Sequence, residues 1–335
     1  MNGPRLAGLA LGVIAGLFAA RAGFADDLRT NQSLVEAGVF LAHAETEAAF
    51  NRLDADRQEA TVVLPAVKTF VDVGAASYGQ AEQGARMGYG GSSSQLRVGV
   101  DREISNGVVV GAMAGGGAGD VSSGDLSGGT LAQHVDVYGR VKRGSLFAKL
   151  LFGGSIVGFR AIDRGPDDAR TFGRTMSRNA RTAMQVGGDV SVRGVKVSPT
   201  LGVALYANAL SGYRESGGEN AFSYKSRHAR AAIGSFRLKA TRAFRLDRSH
   251  KVELQAFVGA DEMLGFSTDA LRATSQATGA TRQSWKGHPT GRGVVGGVGL
   301  GTALAEGVQM SLSYDYGARD GFATHAGRAR LGISF

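Results

Sequence analysis

Six histidines, His43, His134, His228, His250, His288 and His325, are the side chains best suited to general-base chemistry. Such a base needs a nucleophile and an orienting carboxylate within hydrogen-bond reach. The close local pair is His134 with Asp136, which share one face of an extended segment, with Ser127 in the adjoining stretch. Two residues apart on a strand is a spacing that chance readily produces, and no G-x-S-x-G elbow or H-E-x-x-H helix accompanies it. The chain contains no cysteine, which excludes thiol catalysis, disulfides and zinc–cysteine centres. The run GGVGLGTALAEG at 296–307 shares only its glycines with a nucleotide loop, and small residues on an unbroken strand explain it better. These residues assign no catalytic, metal or cofactor site, so the chain is expected not to be an enzyme; an outer-membrane hydrolase ranks third among its readings.

Charge is the other chemistry on offer. The formal net charge is +9 and the pI is about 10.0, a balance that can signal nucleic acid. Here the basic residues are scattered at alternate positions of extended segments or sit in loops such as 164–178 and 227–230, without a recognition helix or an aromatic stacking motif. Nucleic acid is therefore not expected as a partner. Basic loops exposed at a cell surface, Arg227 and Arg230 among them, would instead attract the phosphates of lipopolysaccharide.

The elements that must position these charges begin with the start of the chain. Residues 1–25 have Arg5 in a short basic region, an apolar run from Leu6 to Ala20 and small residues Gly23 and Ala25 before Asp26, the pattern of a cleaved signal peptide. The run has 15 residues, short for a span of about 20. Within 26–65, Ser33-Leu34-Val35-Glu36 is a capping-box pattern that opens one predicted helix over 33–60. That segment carries Glu36, Glu45, Glu47, Asp54, Asp56 and Glu59 against Arg52 and Arg57, a net −4.

From Val67 the helical period gives way to alternation. Twelve strands are predicted, near 66–78, 94–103, 107–119, 130–142, 145–160, 180–193, 195–210, 226–243, 250–264, 290–304, 307–318 and 322–335. Most reach the ~9 to 11 residues that a tilted strand needs to cross a bilayer, whereas strands of soluble domains cluster near ~5 to 6. Tight turns such as Ser105-Asn106-Gly107 and Arg193-Gly194 alternate with longer polar loops, except at 319–321. Segregation of loop length by parity marks an outer-membrane barrel, with its turns on the periplasmic side. Glycine, at 52 of 335 residues with only 5 prolines, fits many turns and small strand residues. The fold class is thus all-β membrane: a twelve-stranded antiparallel transmembrane barrel over 66–335, with one N-terminal helix.

Twelve strands fall between eight, whose interior side chains fill, and sixteen, which leave an aqueous channel. Residues 61–335 carry +12 against the helix's −4. The acidic helix, with Glu36, Glu45, Glu47, Asn51 and Asp54, is therefore expected in a lumen lined by Arg97, Arg140, Lys142, Arg237, Lys239, Arg328 and Arg330. A porin-like or purely structural barrel with a periplasmic helix is the alternative.

A signal peptide, a helix opened by Asn31-Gln32 and ending FNRLDADRQEA, and twelve strands closing on an aromatic residue together resemble the translocator β-domain of the autotransporter (type V secretion) family. The pairs SQLRVGVDREISNGVVVGAMAG and HVDVYGRVKRGSLFAKLLFGG are similar in pattern to that family's second to fifth strands. The resemblance covers 31–335. It implies an outer-membrane barrel that anchors and exports an N-terminal segment through its pore. It also implies that Phe335, Ile333, Leu331 and Ala329 of the last strand are read by the barrel-assembly machinery. Outer-membrane lipid and lipopolysaccharide, periplasmic chaperones and a monomeric state complete the expected setting. Only 26–32 lies between signal peptide and helix, so the large passenger of the family is expected to be absent. Some members cut their passenger within the lumenal helix, for which Asn51 and Asp54 are the residues available, although capping or solvation explains both.

Overall fold

The computed structural model describes residues 28–55, 67–82, 87–165, 169–245, 251–283 and 291–335. The signal-peptide stretch, Asp26, Asp27 and the last turn expected of the helix at 56–60 lie outside the described residues. A 3-10 turn, Leu28–Gln32, leads into α1, Ser33–Ala55, of 23 residues. The long strands that follow are β1 (Val67–Gln80), β2 (Tyr89–Ser105), β3 (Val108–Ser123), β4 (Leu126–Arg143), β5 (Leu146–Arg164) and β6 (Thr171–Gly188). They continue through β7 (Val195–Leu210), β8 (Arg227–Arg245), β9 (Lys251–Thr268), β10 (Arg292–Ala305), β11 (Val308–Arg319) and β12 (Phe322–Ser334). Each is antiparallel to its neighbours in the chain, and β1 closes on β12 in a register running from Lys68 opposite Ser334 to Gln80 opposite Phe322. Closure leaves the long strands without a free edge, as a lipid-facing sheet requires.

Alternation assigns the faces. Leu96, Val98, Val135, Val137, Leu238, Leu254, Val258 and Leu312 are exposed on the outside, while Asp72, Arg97, Asp136, Arg140, Lys149, Arg181 and Arg237 are buried inside. This inverts a soluble barrel: the apolar face looks outward to lipid and the charged face looks into the lumen.

The strands run farther than the apolar pattern suggested. The polar stretch between the third and fourth strands is almost all β-sheet and closes in a tight turn at Gly124-Asp125, Gly124 having φ +57°. Likewise β2 begins at Tyr89 and β6 at Thr171, and a short strand, Val190–Val192, follows β6. Once a strand leaves the hydrocarbon layer its outer face turns polar, so Ser, Gly and Asp replace the apolar period although the hydrogen-bond ladder continues. β5, with 19 residues, is roughly 60 Å long at ~3.3 Å per residue, well beyond an apolar band of about 25 Å. On the same side, short strands at 213–214, 222–224, 272–275 and 281–283 form a four-stranded loop sheet.

No described helix is long and apolar enough to cross a membrane by itself. α1 lies inside the barrel against β5–β8, with lighter contact to β3 and β4. Leu34, Val35, Ala37, Val39, Ala49, Phe50 and Leu53 are buried, and so are Glu36, Glu45, Thr46 and Arg52. The periplasmic placement of the helix is thereby overturned. At Gly38 the helix comes so close to the wall that an added Cβ would strike the side-chain amide of Asn208, which donates to the Val35 carbonyl at 2.8 Å.

Candidate functional site in the barrel lumen

The 3-10 turn and α1 thread the barrel in one direction. At the loop end, Arg227 donates through Nη2 to the Asn31 carbonyl at 2.9 Å and to its Oδ1 at 2.7 Å, and the Asn31 amide donates to the Tyr213 hydroxyl. Leu28 packs under the loop sheet with Phe222, Tyr224, Leu271 and Ala273. Burial pushes the Tyr213 and Tyr224 phenols above their usual range, so both stay protonated. At the tight-turn end, Asp54 meets Lys149 and Lys239, each at 2.6 Å, and Arg140 donates to the Leu53 carbonyl at 2.7 Å. A cation on the last carbonyls of a helix satisfies groups that have no partner within it.

Between these ends the helix carboxylates are taken one by one. Glu45 pairs with Arg181 of β6, which also forks onto Asp136 of β4 at 2.9 Å (Nε to Oδ1) and 2.7 Å (Nη2 to Oδ2). All three are fully buried, so the guanidinium holds two strands and the helix at once. Glu47 lies 3.5 Å from Arg237, which grips Asp261 at 2.6 Å. Arg52, the helix's own cation, pairs with Asp101 of β2, to which the Tyr138 hydroxyl also donates. His43 sits between the Tyr206 hydroxyl at 2.9 Å and Asp261 at 3.5 Å. Glu36, buried in the first turn, accepts from the Gln32 amide at 3.5 Å.

The expected lining residues divide into three groups. Arg140, Arg237 and Lys239 touch the helix as anticipated from their strand faces. Arg97, Arg328 and Arg330 face the lumen but answer carboxylates of the wall: Arg97 and Arg330 share Asp72 at 2.7 and 2.9 Å, and Arg328 pairs with Asp315. Lys142 shares the inward phase of Arg140 at the tight-turn end of β4, where it pairs with Asp189 at 3.1 Å and not with a helix carboxylate. It stands two residues from the tight turn at Gly144-Ser145 and is partly exposed. Sequence reasoning missed Arg181 and Lys149, which hold Glu45 and Asp54 of α1, although Lys149 alternates with apolar Ala148 and Leu150.

The helix fills the lumen unevenly. Along the wall of β1, β2 and β10–β12 there remains a cavity of about 150 Å³, reached by Glu47 and Asn51 from the helix and by Arg97, Asp261, Asp315 and Arg328 from the barrel. That is room for several waters, and two smaller cavities follow the same wall toward the tight-turn end, one beside Asn51, Asp72 and Arg330 and the next beside Arg52, Lys68 and Ser334. At its outer end Phe40 stacks on Phe322, centroids 4.1 Å apart, with Tyr89 beside them.

Two further expectations change. His134 and Asp136 are buried in the lumen, His134 3.8 Å from Glu45, whereas Ser127 is exposed on the outer face of the same strand. The residues weighed for catalysis therefore do not converge. Arg164 and Arg227, placed by sequence in exposed basic loops, are each only 1% exposed; Arg164 holds Glu215 and Arg227 holds Asn31. On the last strand, Phe335 is 76% exposed and its amide donates to the Val67 carbonyl at 2.9 Å. Ile333, Leu331 and Ala329 stand opposite Thr69, Val71 and Val73 and face outward.

Comparisons with known proteins agree with this geometry. The family model described as the autotransporter beta-domain matches residues 69–315. Among solved structures, the translocator domain of the autotransporter NalP from Neisseria meningitidis aligns with a TM-score of 0.72 and 17% identity, over 93% of this chain and all of that one. The beta domain of the Bordetella autotransporter BrkA aligns with a TM-score of 0.62 and 18% identity, over 81% of this chain and all of that one. No curated protein matches the sequence. The chain belongs to the autotransporter β-domain family and is an outer-membrane translocator barrel.

Proposed function

We propose that the barrel carries the segment before α1 to the loop side of the outer membrane and then keeps its pore closed with α1. The observation that carries this reading is the direction of the thread: Asn31 is held at the loop end and Asp54 at the tight-turn end, so the helix runs with its N-terminus toward the loop side. Ion pairs distributed along the helix act as the lock, and complementary charge between helix and wall selects that position over others in the lumen. Residues 1–25 serve as a signal peptide removed before Asp26. Periplasmic chaperones and the assembly machinery deliver the barrel, the latter reading Phe335, Ile333, Leu331 and Ala329. Closure of β1 on β12 supports a monomer, and the dispersed histidines support transport rather than hydrolysis.

Planar-bilayer conductance of the full chain tests the lock. Glu45→Gln, Glu47→Gln and Asp54→Asn combined leave Arg181, Arg237, Lys149 and Lys239 without their helix partners. Single-channel conductance should rise severalfold above the nearly closed parent. Unchanged conductance in a correctly folded triple variant would refute a charge-locked plug.

A further inference from the structure

The outer surface of the barrel holds a basic sector that the plugged pore does not use. On β5–β8, Arg160, Arg174, Arg178 and Arg230 all point outward and are exposed, and none forms an ion pair among the described residues. On the other eight strands, the outward arginine toward the loop side is Arg292, which Glu262 already holds at 3.3 Å. Two described carboxylates at the loop end of the sheet are also taken, Asp269 by His228 at 3.0 Å and Asp163 by Arg170 at 3.4 Å. Four guanidinium groups with no ion pair among the described residues thus share four of the twelve strands.

Strand register fixes their arrangement. Arg178 of β6 stands opposite Ala209 of β7, which stands opposite His228 of β8; Ala180 and Ala207 form the next row, ending on Arg230. Two strand spacings of ~4.8 Å and a two-residue offset put the Cα atoms of Arg178 and Arg230 about 12 Å apart. Between them Ala180, Ala207 and Ala209 form a shallow floor, bounded at the remaining corner by exposed His228, which pairs with Asp269. Toward the membrane the outward residues turn apolar at once, with Ile156 beside Arg178 and with Phe152 and Leu205 one row below Ala180 and Ala207, each about half exposed. The arginines therefore stand where hydrocarbon ends on the loop side. An arginine facing lipid is costly at the midplane and nearly free at the interface, and its planar fork matches phosphate in a bidentate manner.

We propose that this sector binds the phosphorylated glycolipid of the outer leaflet, with Arg178 and Arg230 each taking a phosphate of one headgroup. The alanine floor lets the sugars approach the sheet, and Ile156, Phe152 and Leu205 receive the acyl chains. Arg160 and Arg174 add charge at the loop-side edge. The assignment rests on the outer-membrane reading above, because it takes the loop side as the outer leaflet.

Native mass spectrometry of the full chain folded in detergent, titrated with bisphosphorylated lipid A, provides the test. The double variant Arg178→Ser/Arg230→Ser should lose about tenfold in lipid A affinity. A control pair at the opposite rim, Arg242→Ser/Arg245→Ser, should bind like the parent. Dephosphorylated lipid A should bind the parent as weakly as lipid A binds the double variant, and excess phosphatidylglycerol or inorganic phosphate should not displace lipid A. Parent-like binding by a folded double variant overturns the site. Displacement by phosphatidylglycerol or by free phosphate overturns the glycolipid assignment in favour of a general anion patch. Membrane fractionation of the same variants reads the outer-membrane placement separately, so failure of one claim is distinguishable from failure of the other.

Discussion

At the residue scale, Arg181 concentrates the chemistry of the lumen. One buried guanidinium pairs at once with a helix carboxylate, Glu45, and a wall carboxylate, Asp136. Such an arrangement adds little net stability over well-packed apolar groups, but removing one member leaves charge buried without a partner, at a cost of about 3–5 kcal/mol. Arg181→Met should therefore destabilise the folded barrel markedly, read as a fall in the temperature at which the compact form is lost on gels, whereas Arg181→Met/Glu45→Gln/Asp136→Asn should recover much of that loss. Gly38 makes a steric counterpart. Gly38→Leu drives a side chain into Asn208 and Ser177, and the expected outcome is a folded barrel whose helix is displaced, detected as raised conductance together with protease cleavage within 33–55. Neither role could be read in the sequence. An arginine at a lumen-facing phase is one of many, and only the three-dimensional neighbourhood shows which of them meets two carboxylates.

At the element scale, the strands were legible because lipid and lumen impose opposite demands on alternate residues. Twelve of them, their order and the helix all follow from period and turn spacing. Their outer ends did not, because Ser92, Asp120 and Ser127 lie beyond the apolar belt on strands that continue, and polar alternation reads as loop. The helix was legible for a different reason. α1 lacks a clean apolar stripe because most of its sides meet a polar barrel wall and one faces a cavity, so its charge was more informative than its amphipathicity. The last strand carries its own prediction. Phe335 is exposed and lies beyond the ladder apart from its amide bond to Val67, so Phe335→Ala should leave the folded stability nearly unchanged. If the terminal residue is a recognition signal, the same variant should slow assembly in cells by severalfold, followed by pulse-chase of the heat-modifiable form. Equal assembly rates would restrict Phe335 to anchoring in lipid.

At the scale of the whole molecule, the chain is a closed wall built around a single thread. The wall satisfies its backbone by closure, and the thread satisfies its charges against the wall. α1 leaves a cavity of about 150 Å³ beside it, and on the proposed reading it keeps the pore closed while it stays in place. The central claim is that the helix crosses the barrel with its N-terminus on the loop side. The most direct measurement is antibody labelling of an epitope inserted after Asp27 on intact cells, with a periplasmic marker to report lysis. Labelling of intact cells is the predicted result; an epitope reached only after lysis, in cells whose barrel is folded in the outer membrane, would contradict it.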